Sequence, residues 1–210
     1  MALSRPPYLL RLVYQQFIWR LSVSEKAVYL TFDDGPHPEI TPWVLEQLKL
    51  FNAKATFFLV GKNAAQYPEI VKQILAEGHS IGNHTFSHLN GWKNPATTYI
   101  GNIRACDEYV YHAKLFRPPY GKIKTSQAKE ILGNYKIIMW DVLSRDYDQL
   151  ISPGRCLKIV KELTRNGSVI VFHDSKKAEL NLRFALPKAL LYLAKKGFEF
   201  KAIDSTACFK

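Results

Sequence analysis

The sequence predicts an α/β fold: one domain built as a deformed, incomplete barrel of seven parallel strands that alternate with helices. After residue 26, strand-like apolar runs alternate with helical patterns seven times, and the connections between them are short. The strands show no clean polar alternation, which indicates that both faces of the sheet are buried. Seven units also occupy fewer residues than the roughly 250 typical of a closed eight-fold barrel, and this favours an open one.

The predicted strands are apolar runs rich in β-branched and aromatic residues, which favour extended backbone. The first ends in a Gly-Pro turn and the last begins after Gly197. In chain order they are Ala27–Asp33, Ala55–Gly61, His79–Asn83, Leu115–Arg117, Lys136–Val142, Ser168–Phe172 and Phe198–Ile203. We expect them to pair in parallel, because a helical segment separates each strand from the next.

The predicted helices carry apolar residues at helical spacing, with Pro near their starts and Gly at their ends. They are the helix that opens at Thr41–Pro42, Pro68–Glu77, Thr97–Ala113, Lys124–Leu132, the helix that opens at Ser152–Pro153, and Pro187–Lys196. We expect their apolar faces to cover the sheet.

Residues 1–26 are predicted to be an N-terminal arm or helix packed on a domain formed by residues 27–210. One amphipathic stripe is predicted from Leu9, Leu12, Val13, Phe17 and Ile18. Polar residues interrupt the apolar run and no small-residue cleavage site follows, so we expect no cleavable signal peptide. A weak membrane-surface anchor is the alternative interpretation. The compartment stays open between an envelope-facing and a cytoplasmic location.

Composition limits the classes of partner. Of 210 residues, 47% are hydrophobic and 22% charged, as in globular proteins, and no apolar run is long enough to span a bilayer. The net charge is +11, but the basic residues are scattered, so we expect no nucleic-acid partner and consider an anionic glycan or envelope surface. Cys106, Cys156 and Cys208 form no C-x-x-C pair, which indicates reduced thiols.

Five polar clusters follow predicted strands. They are Asp33–Asp34, His84 with His88, Arg117, Asp141 with Asp146, and His173–Asp174. The carboxyl ends of parallel strands meet at one end of a barrel, where active sites form. We therefore expect all five clusters to converge on one pocket.

A metal site is predicted within this group. His84 and His88 have the spacing of two ligands on one helical turn, and Asp34 would complete a set of two histidines and one carboxylate. Three protein ligands leave positions open for water and substrate, as in catalytic zinc sites that hydrolyse amides or esters. Taken singly, the histidine pair could be a capped turn, and Asp33–Asp34 a solvated turn before Gly35.

The motifs together resemble a known family. TFDDGP (31–36), HTFSH (84–88), RPPYG (117–121), WDVLSRDYD (140–148) and VFHD (171–174) occur in this order. They resemble the five motifs of the polysaccharide deacetylases with a NodB-homology domain, carbohydrate esterase family 4, over about residue 27 to the C-terminus. The resemblance implies a deformed (β/α)7 barrel of the NodB-homology type. It also implies one divalent metal ion, commonly zinc, with cobalt or nickel able to substitute.

The resemblance further implies a role for each motif residue. Asp33 matches the general base, Arg117 the residue that holds it, and His173 the general acid, which Asp146 tunes. The metal ligands would be Asp34, His84 and His88. Substrate-binding positions would be Pro118, Tyr120, whose neighbouring backbone N–H would serve as oxyanion donor, and Tyr147 and Val171 as walls of the acetyl pocket. Tyr147 stands where the family usually has Trp, and Val171 where Leu is common, so the acetyl pocket could be wider.

The expected function is metal-dependent removal of N-acetyl groups from a polysaccharide that contains N-acetylglucosamine, of peptidoglycan or chitin type. An O-acetyl esterase on an acetylated glycan is one alternative, and a glycan-binding protein with little turnover is another. A metal-free hydrolase of small amides or cyclic imides is a third, which the intact pair His84 and His88 disfavours. The glycan and the oligomeric state stay open.

Overall fold

The computed structural model describes residues 4–204, which contain a curled sheet of parallel strands. The strands are β1 (Ala27–Asp33), β2 (Ala55–Leu59), β3 (Ser80–Asn83), β4 (Leu115–Phe116), β5 (Lys136–Ile137), β6 (Val142–Leu143), β7 (Val169–His173) and β8 (Glu199–Phe200). Seven of them follow the order β5-β4-β3-β2-β1-β7-β6, and β8 pairs with the start of β1. The predicted fold class, an α/β barrel that does not close, is confirmed.

The predicted fifth strand is wrong in one respect. Lys136–Val142 is not one strand: β5 pairs with β4 at one edge of the sheet, and β6 pairs with β7 at the other. Because the seven-stranded path stays open, the chain between β5 and β6 must cross from one edge to the other. A single strand cannot pair at both edges, so the ladder breaks in the middle of an apolar run.

All the helices except α1 cover the outside of the sheet. The helices are α1 (Tyr8–Val13), α2 (Ile40–Lys49), α3 (Gly61–Gln66), α4 (Pro68–Ala76), α5 (Ala96–Asp107), α6 (Thr125–Ile131), α7 (Pro153–Leu163) and α8 (Glu179–Lys195). α3 was not expected, because it carries few apolar residues. α8 begins well before Pro187, which lies inside the helix rather than at its start. Thr41 lies inside α2, and its hydroxyl donates to Asp174, as described below.

The core lies between the sheet and the helices. All seven residues of β1 are buried, because its neighbours β2 and β7 flank it and both faces are covered. At its centre, Phe32 stacks on Phe57 with 5.0 Å between ring centroids and on Phe172 with 6.2 Å. Cys106 and Cys156 are buried free thiols, and Cys208 lies outside the described residues. Across residues 4–204, every helix is too short or too polar to span a bilayer.

Residues 4–21, here called the N-terminal segment, lie across the open side of the barrel. Ile18 pairs in parallel with Ile138 just beyond β5, and the backbone N–H of Leu143 in β6 donates to the carbonyl of Ser4 at 2.7 Å. The segment therefore contacts both edges of the sheet. Hydrophobic burial holds it there, because Phe17, Trp19 and Leu21 are all at most 7% exposed.

The predicted stripe on this segment is wrong. α1 ends at Val13 and buries none of its residues, and Leu9, Leu12 and Val13 are exposed. Phe17 is buried, but it lies beyond the helix, in the turn that follows it. Helical spacing does not predict which face is buried once the helix has ended.

Asp141 was expected at the site and lies elsewhere. It directly precedes β6, at the end of the barrel opposite the carboxyl ends of the strands. Its buried carboxylate accepts hydrogen bonds from Arg11 at 2.8 Å, from Arg165 at 2.9 Å and from Ser168 at 2.7 Å. The error follows from the broken fifth strand, because Asp141 precedes a strand instead of ending one.

Candidate active site

Asp33 lies at the carboxyl end of β1, where a buried arginine holds it. Arg117 follows β4 and donates from Nη1 to Asp33 Oδ1 at 2.6 Å and to the Thr31 hydroxyl at 2.8 Å. Its Nε and Nη2 donate to the carbonyls of Ile138 and Met139. The guanidinium is fully buried yet paired through three nitrogens, which offsets its desolvation. Arg117 thus fixes Asp33 in one orientation.

Asp34, His84 and His88 lie together as a candidate metal site. Their potential ligand atoms all fall within 4.8 Å of one another. His88 Nε2 is 3.1 Å and His84 Nε2 is 3.7 Å from Asp34 Oδ1. Two imidazole nitrogens and one carboxylate oxygen converge on one point, as a tetrahedral site with an open position requires. The donor set therefore fits a divalent metal ion.

Neighbouring groups orient the two imidazoles. His84 Nδ1 donates to the carbonyl of Arg117 at 2.7 Å, which leaves Nε2 with its lone pair toward Asp34. Burial lowers the pKa of His84 to about 4, so the ring is neutral near pH 7, as a metal ligand must be. His88 Nδ1 lies 3.1 Å from the Tyr120 hydroxyl. Both rings therefore present Nε2 to the site.

Electrostatics keep Asp34 ionised. Burial alone would raise its pKa, but the hydrogen bond with His88 and the charges of nearby histidines outweigh burial and lower it. The backbone at Asp34 has a φ of 79°, a left-handed conformation, in the bend that follows β1. The Asn63 side chain donates to the Asp34 carbonyl at 2.8 Å and supports this turn.

His173 and Asp146 form a second ionic pair beside Asp33. His173 ends β7 in register with Asp33 on β1. Its Nδ1 lies 2.7 Å from Asp146 Oδ1, and its backbone N–H donates to Oδ2 of the same carboxylate at 2.7 Å. Burial would lower the pKa of His173, but the charge and hydrogen bond of Asp146 outweigh burial and raise it to about 9. His173 is therefore protonated at neutral pH.

Asp174 and Thr41 form a support that sequence reasoning did not describe. Asp174 Oδ1 accepts from the backbone N–H of Gly35 at 3.1 Å, and Oδ2 accepts from the Thr41 hydroxyl at 2.5 Å. Burial raises the pKa of Asp174 to about 7. The side chain of Asp174 therefore holds the turn after Asp34. No local motif links Thr41 to Asp174, because α2 brings them together.

A cleft of about 860 Å³ opens in front of these groups. Its lining includes the predicted residues Asp33, Asp34, His84, His88, His173, Pro118, Tyr120, Tyr147 and Val171. Arg117 and Asp146 lie behind the surface, in contact with Asp33 and His173. The Tyr147 ring meets the His173 ring edge-on, with 4.9 Å between centroids. The N-terminal segment also lines this cleft, and the sequence pattern gave no sign of that.

Comparison with known proteins identifies a family for this chain. Residues 20–137 match the family model described as polysaccharide deacetylase. The chain is 40% identical over 189 residues to the peptidoglycan-N-acetylglucosamine deacetylase of Bacillus cereus, covering 87% of this chain and 68% of the relative. It is 36% identical over 166 residues to the chitooligosaccharide deacetylase of Azorhizobium caulinodans, covering 74% and 77%.

A solved structure has the same fold. The crystal structure of the Bc1960 peptidoglycan N-acetylglucosamine deacetylase in complex with 4-naphthalen-1-yl-N-oxidanyl-benzamide superposes with a TM-score of 0.85. It is 36% identical, with 92% of this chain and 94% of that chain covered. The chain therefore belongs to the polysaccharide deacetylase family of hydrolases, and the resemblance carried by the five motifs is confirmed.

Proposed function

We propose that this protein is a metal-dependent deacetylase that removes N-acetyl groups from N-acetylglucosamine units of a glycan. The observation that carries the proposal is the group Asp34, His84 and His88 in one cleft with Asp33 and His173, which pair with Arg117 and Asp146. Arg117 holds the Asp33 carboxylate in place, and Asp146 keeps the His173 imidazole protonated. A base and an acid beside a Lewis-acid site are what amide hydrolysis requires.

Asp34, His84 and His88 would hold the metal ion, and zinc suits a set of two nitrogens and one oxygen, with cobalt or nickel able to substitute. When bound there, such an ion acts as a Lewis acid, making water more acidic and stabilising negative charge on the acetyl oxygen. His84 is held by the Arg117 carbonyl and His88 by the Tyr120 hydroxyl, so the chain fixes both ligands in place.

Asp33 is proposed as the general base. It removes a proton from the attacking water while the water oxygen bonds to the acetyl carbon. Arg117 holds the carboxylate by an ion pair at 2.6 Å, and Asp33 lines the cleft. A backbone N–H near Tyr120 would donate to the oxygen on which negative charge develops, a contribution worth about 3 kcal/mol in comparable sites.

His173 is proposed as the general acid. Its Nδ1 is engaged with Asp146, so the proton on Nε2 is available to the leaving nitrogen. That nitrogen takes the proton as the C–N bond breaks, and the products are acetate and a glycan amine. Tyr147 and Val171 line the cleft beside His173 and would contact the acetyl methyl group, while Pro118 would contact the sugar.

The substrate class is proposed from the relatives. Two of the similar proteins are named for peptidoglycan N-acetylglucosamine, so we propose this unit in peptidoglycan as the first candidate and an envelope-facing site of action. Chitin-type oligomers are the second candidate, because another relative is named for them. The same acid and base could also cleave an O-acetyl ester, which makes ester-linked glycans the alternative.

The experiment measures acetate release from peptidoglycan, chitooligosaccharides and acetylated xylan by zinc-loaded and chelator-treated protein. We expect release from the N-acetylated glycans, its loss on chelation and its recovery with zinc. Asp33→Asn and His84→Ala should each lower kcat by at least about a hundredfold. Only His84→Ala should also lower bound zinc, because Asp33 is not a proposed ligand.

His112→Asn is the matched control, because His112 is an exposed histidine away from the cleft. It should retain both activity and zinc. If Asp33→Asn and His84→Ala both keep full activity, the proposed mechanism is wrong. Binding of the glycans without turnover by the zinc-loaded protein would instead support a binding protein.

A further inference from the structure

We propose that the N-terminal segment builds a subsite for a sugar ring adjoining the unit that is deacetylated. The inference rests on the proposed function and deepens it, because it makes an oligomeric glycan the preferred substrate. The chemical class of ligand is the apolar C–H face of a pyranose ring. The geometry that carries it is a wall of the catalytic cleft contributed by residues outside all five sequence motifs.

The wall belongs to the same cleft as the metal site. Pro6, Pro7, Leu10 and Tyr14 line it, as do Trp140 and Leu143. The cleft is too large for one acetamido sugar, and its volume of about 860 Å³ continues from Asp34 and His88 to this wall. A chain of linked sugars placed with one unit at the metal site would extend into this space.

The chemistry of the wall fits a sugar face. These four residues present proline rings, an aliphatic side chain and a phenol ring, and none of them carries a formal charge. Flat apolar surfaces of this kind bind amphipathic rings and leave polar tips to reach water. An anionic group would find no cation among these four residues. The wall therefore suits the neutral ring of a glycan rather than its carboxylates.

The wall is fixed to the barrel before any ligand binds. Ile18 and Ser4 pair with backbone at the two edges of the sheet, and Arg11 reaches the buried Asp141 at 2.8 Å. Arg5 also donates to the Leu163 carbonyl. A pre-formed surface binds more tightly than one that must be ordered, because less conformational entropy is lost on binding. Residues of this segment can thus contribute to affinity.

α1 provides a matched pair of variants. Leu10 lines the cleft, whereas its neighbour Leu9 is 73% exposed and lies outside it. Leu10→Ser and Leu9→Ser make the same chemical change one residue apart. Both positions lie on the surface helix, so the variants should fold equally well. Tyr14→Ala is a second change to the wall.

The test measures kcat and KM for N-acetylglucosamine oligomers of one to five units, with calorimetric binding of the same oligomers. For the longer oligomers, Leu10→Ser and Tyr14→Ala should raise KM and Kd by about tenfold and leave kcat unchanged. For the shortest oligomer that is turned over, all proteins should behave alike. Leu9→Ser should match the unaltered protein throughout.

Equal increases in KM and Kd at every oligomer length, or no increase for the longest oligomer, would overturn the inference. So would a Leu9→Ser variant whose KM and Kd rise as much as those of Leu10→Ser. The binding measurement reports on the subsite even if no acetate is released. Absence of turnover by the zinc-loaded protein on every glycan would count against the proposed function alone.

Discussion

At the scale of single residues, Asp33 and His173 each have a charged partner of their own. Asp33 and His173 end neighbouring strands in register, so each lies within the field of the other. Arg117 pairs with Asp33, and Asp146 pairs with His173. Asp146 stabilises the charged form of His173, and Arg117 holds Asp33 by an ion pair. A carboxylate base and a protonated imidazole acid therefore lie in one cleft.

Asp146→Asn tests how the pairing with Asp146 affects the pKa of His173. Asp146 raises the pKa of His173 to about 9, so the acid form persists below that pH and is lost above it. Without the carboxylate, burial should bring the pKa of His173 below its usual 6.5. We expect the alkaline limb of the kcat/KM profile to move down by two or more pH units. At pH 8, activity should fall at least about tenfold.

Asp148→Asn is the control for that profile, because it removes a carboxylate from the same loop that is paired with Arg145 and not with His173. Its alkaline limb should stay where it is in the unaltered protein. An Asp146→Asn enzyme with an unshifted limb would show that His173 is not the acid.

At the scale of elements, the sheet itself positions the catalytic groups. Gly82 in β3 pairs in register with Phe58 in β2, and the Phe58 ring packs against the guanidinium of Arg117 at 4.1 Å from carbon to centroid. A Cβ at Gly82 would come within 2.6 Å of the Phe58 ring and 3.1 Å of the Leu115 carbonyl. The strand thus requires glycine at this position so that Arg117 can reach Asp33.

Gly82→Ala should both destabilise the fold and disturb the position of Asp33, the proposed base. Overpacking of this kind costs about 1–3 kcal/mol in the free energy of unfolding, measured in urea. The displaced Phe58 should also shift Arg117 and lower kcat. Gly101→Ala in α5 is the control, because a Cβ added at this position has no neighbouring atom within 4 Å. This variant should stabilise the protein by up to about 1 kcal/mol. Similar stability of the two variants would refute this account.

The sequence predicted the elements whose signals are local. β1, β2, β3 and β7 were predicted within a few residues, because each is a buried apolar run with a turn after it. The five motifs likewise identified groups that now line or support one cleft. The break between β5 and β6 was missed, because an apolar run does not show which neighbour it pairs with. The misplacement of Asp141 and the missed wall of the N-terminal segment have the same cause, since both depend on pairing distant in sequence.

At the scale of the whole molecule, the net charge of +11 acts over longer distances than any contact in the cleft. Scattered basic residues create a positive field that attracts polyanions and weakens with salt. Peptidoglycan carries carboxylates on its peptides, whereas chitooligosaccharides are neutral. The two proposed substrates therefore differ in how they should respond to ionic strength.

Kinetics at about 0.05 M and 0.5 M salt test this difference. For soluble peptidoglycan fragments, KM should rise several-fold at the higher salt, because screening removes the long-range attraction. For chitotetraose, KM should change little, and this neutral substrate serves as the control. The same salt response for both would show that the surface charge does not contribute to substrate capture.

The closure of the barrel by the N-terminal segment also has a consequence for folding order. Residues 17–21 leave the ribosome early, yet Ile18 pairs with Ile138 and Leu21 bonds to the carbonyl of Gly167, both more than a hundred positions later in the chain. Phe17 and Trp19 must therefore stay exposed to water until β5 and β7 have been synthesised. Contacts of such long sequence separation form late and slowly. The wall of the cleft should thus be among the last parts of the molecule to assemble, and catalytic competence would be acquired only at the end of folding.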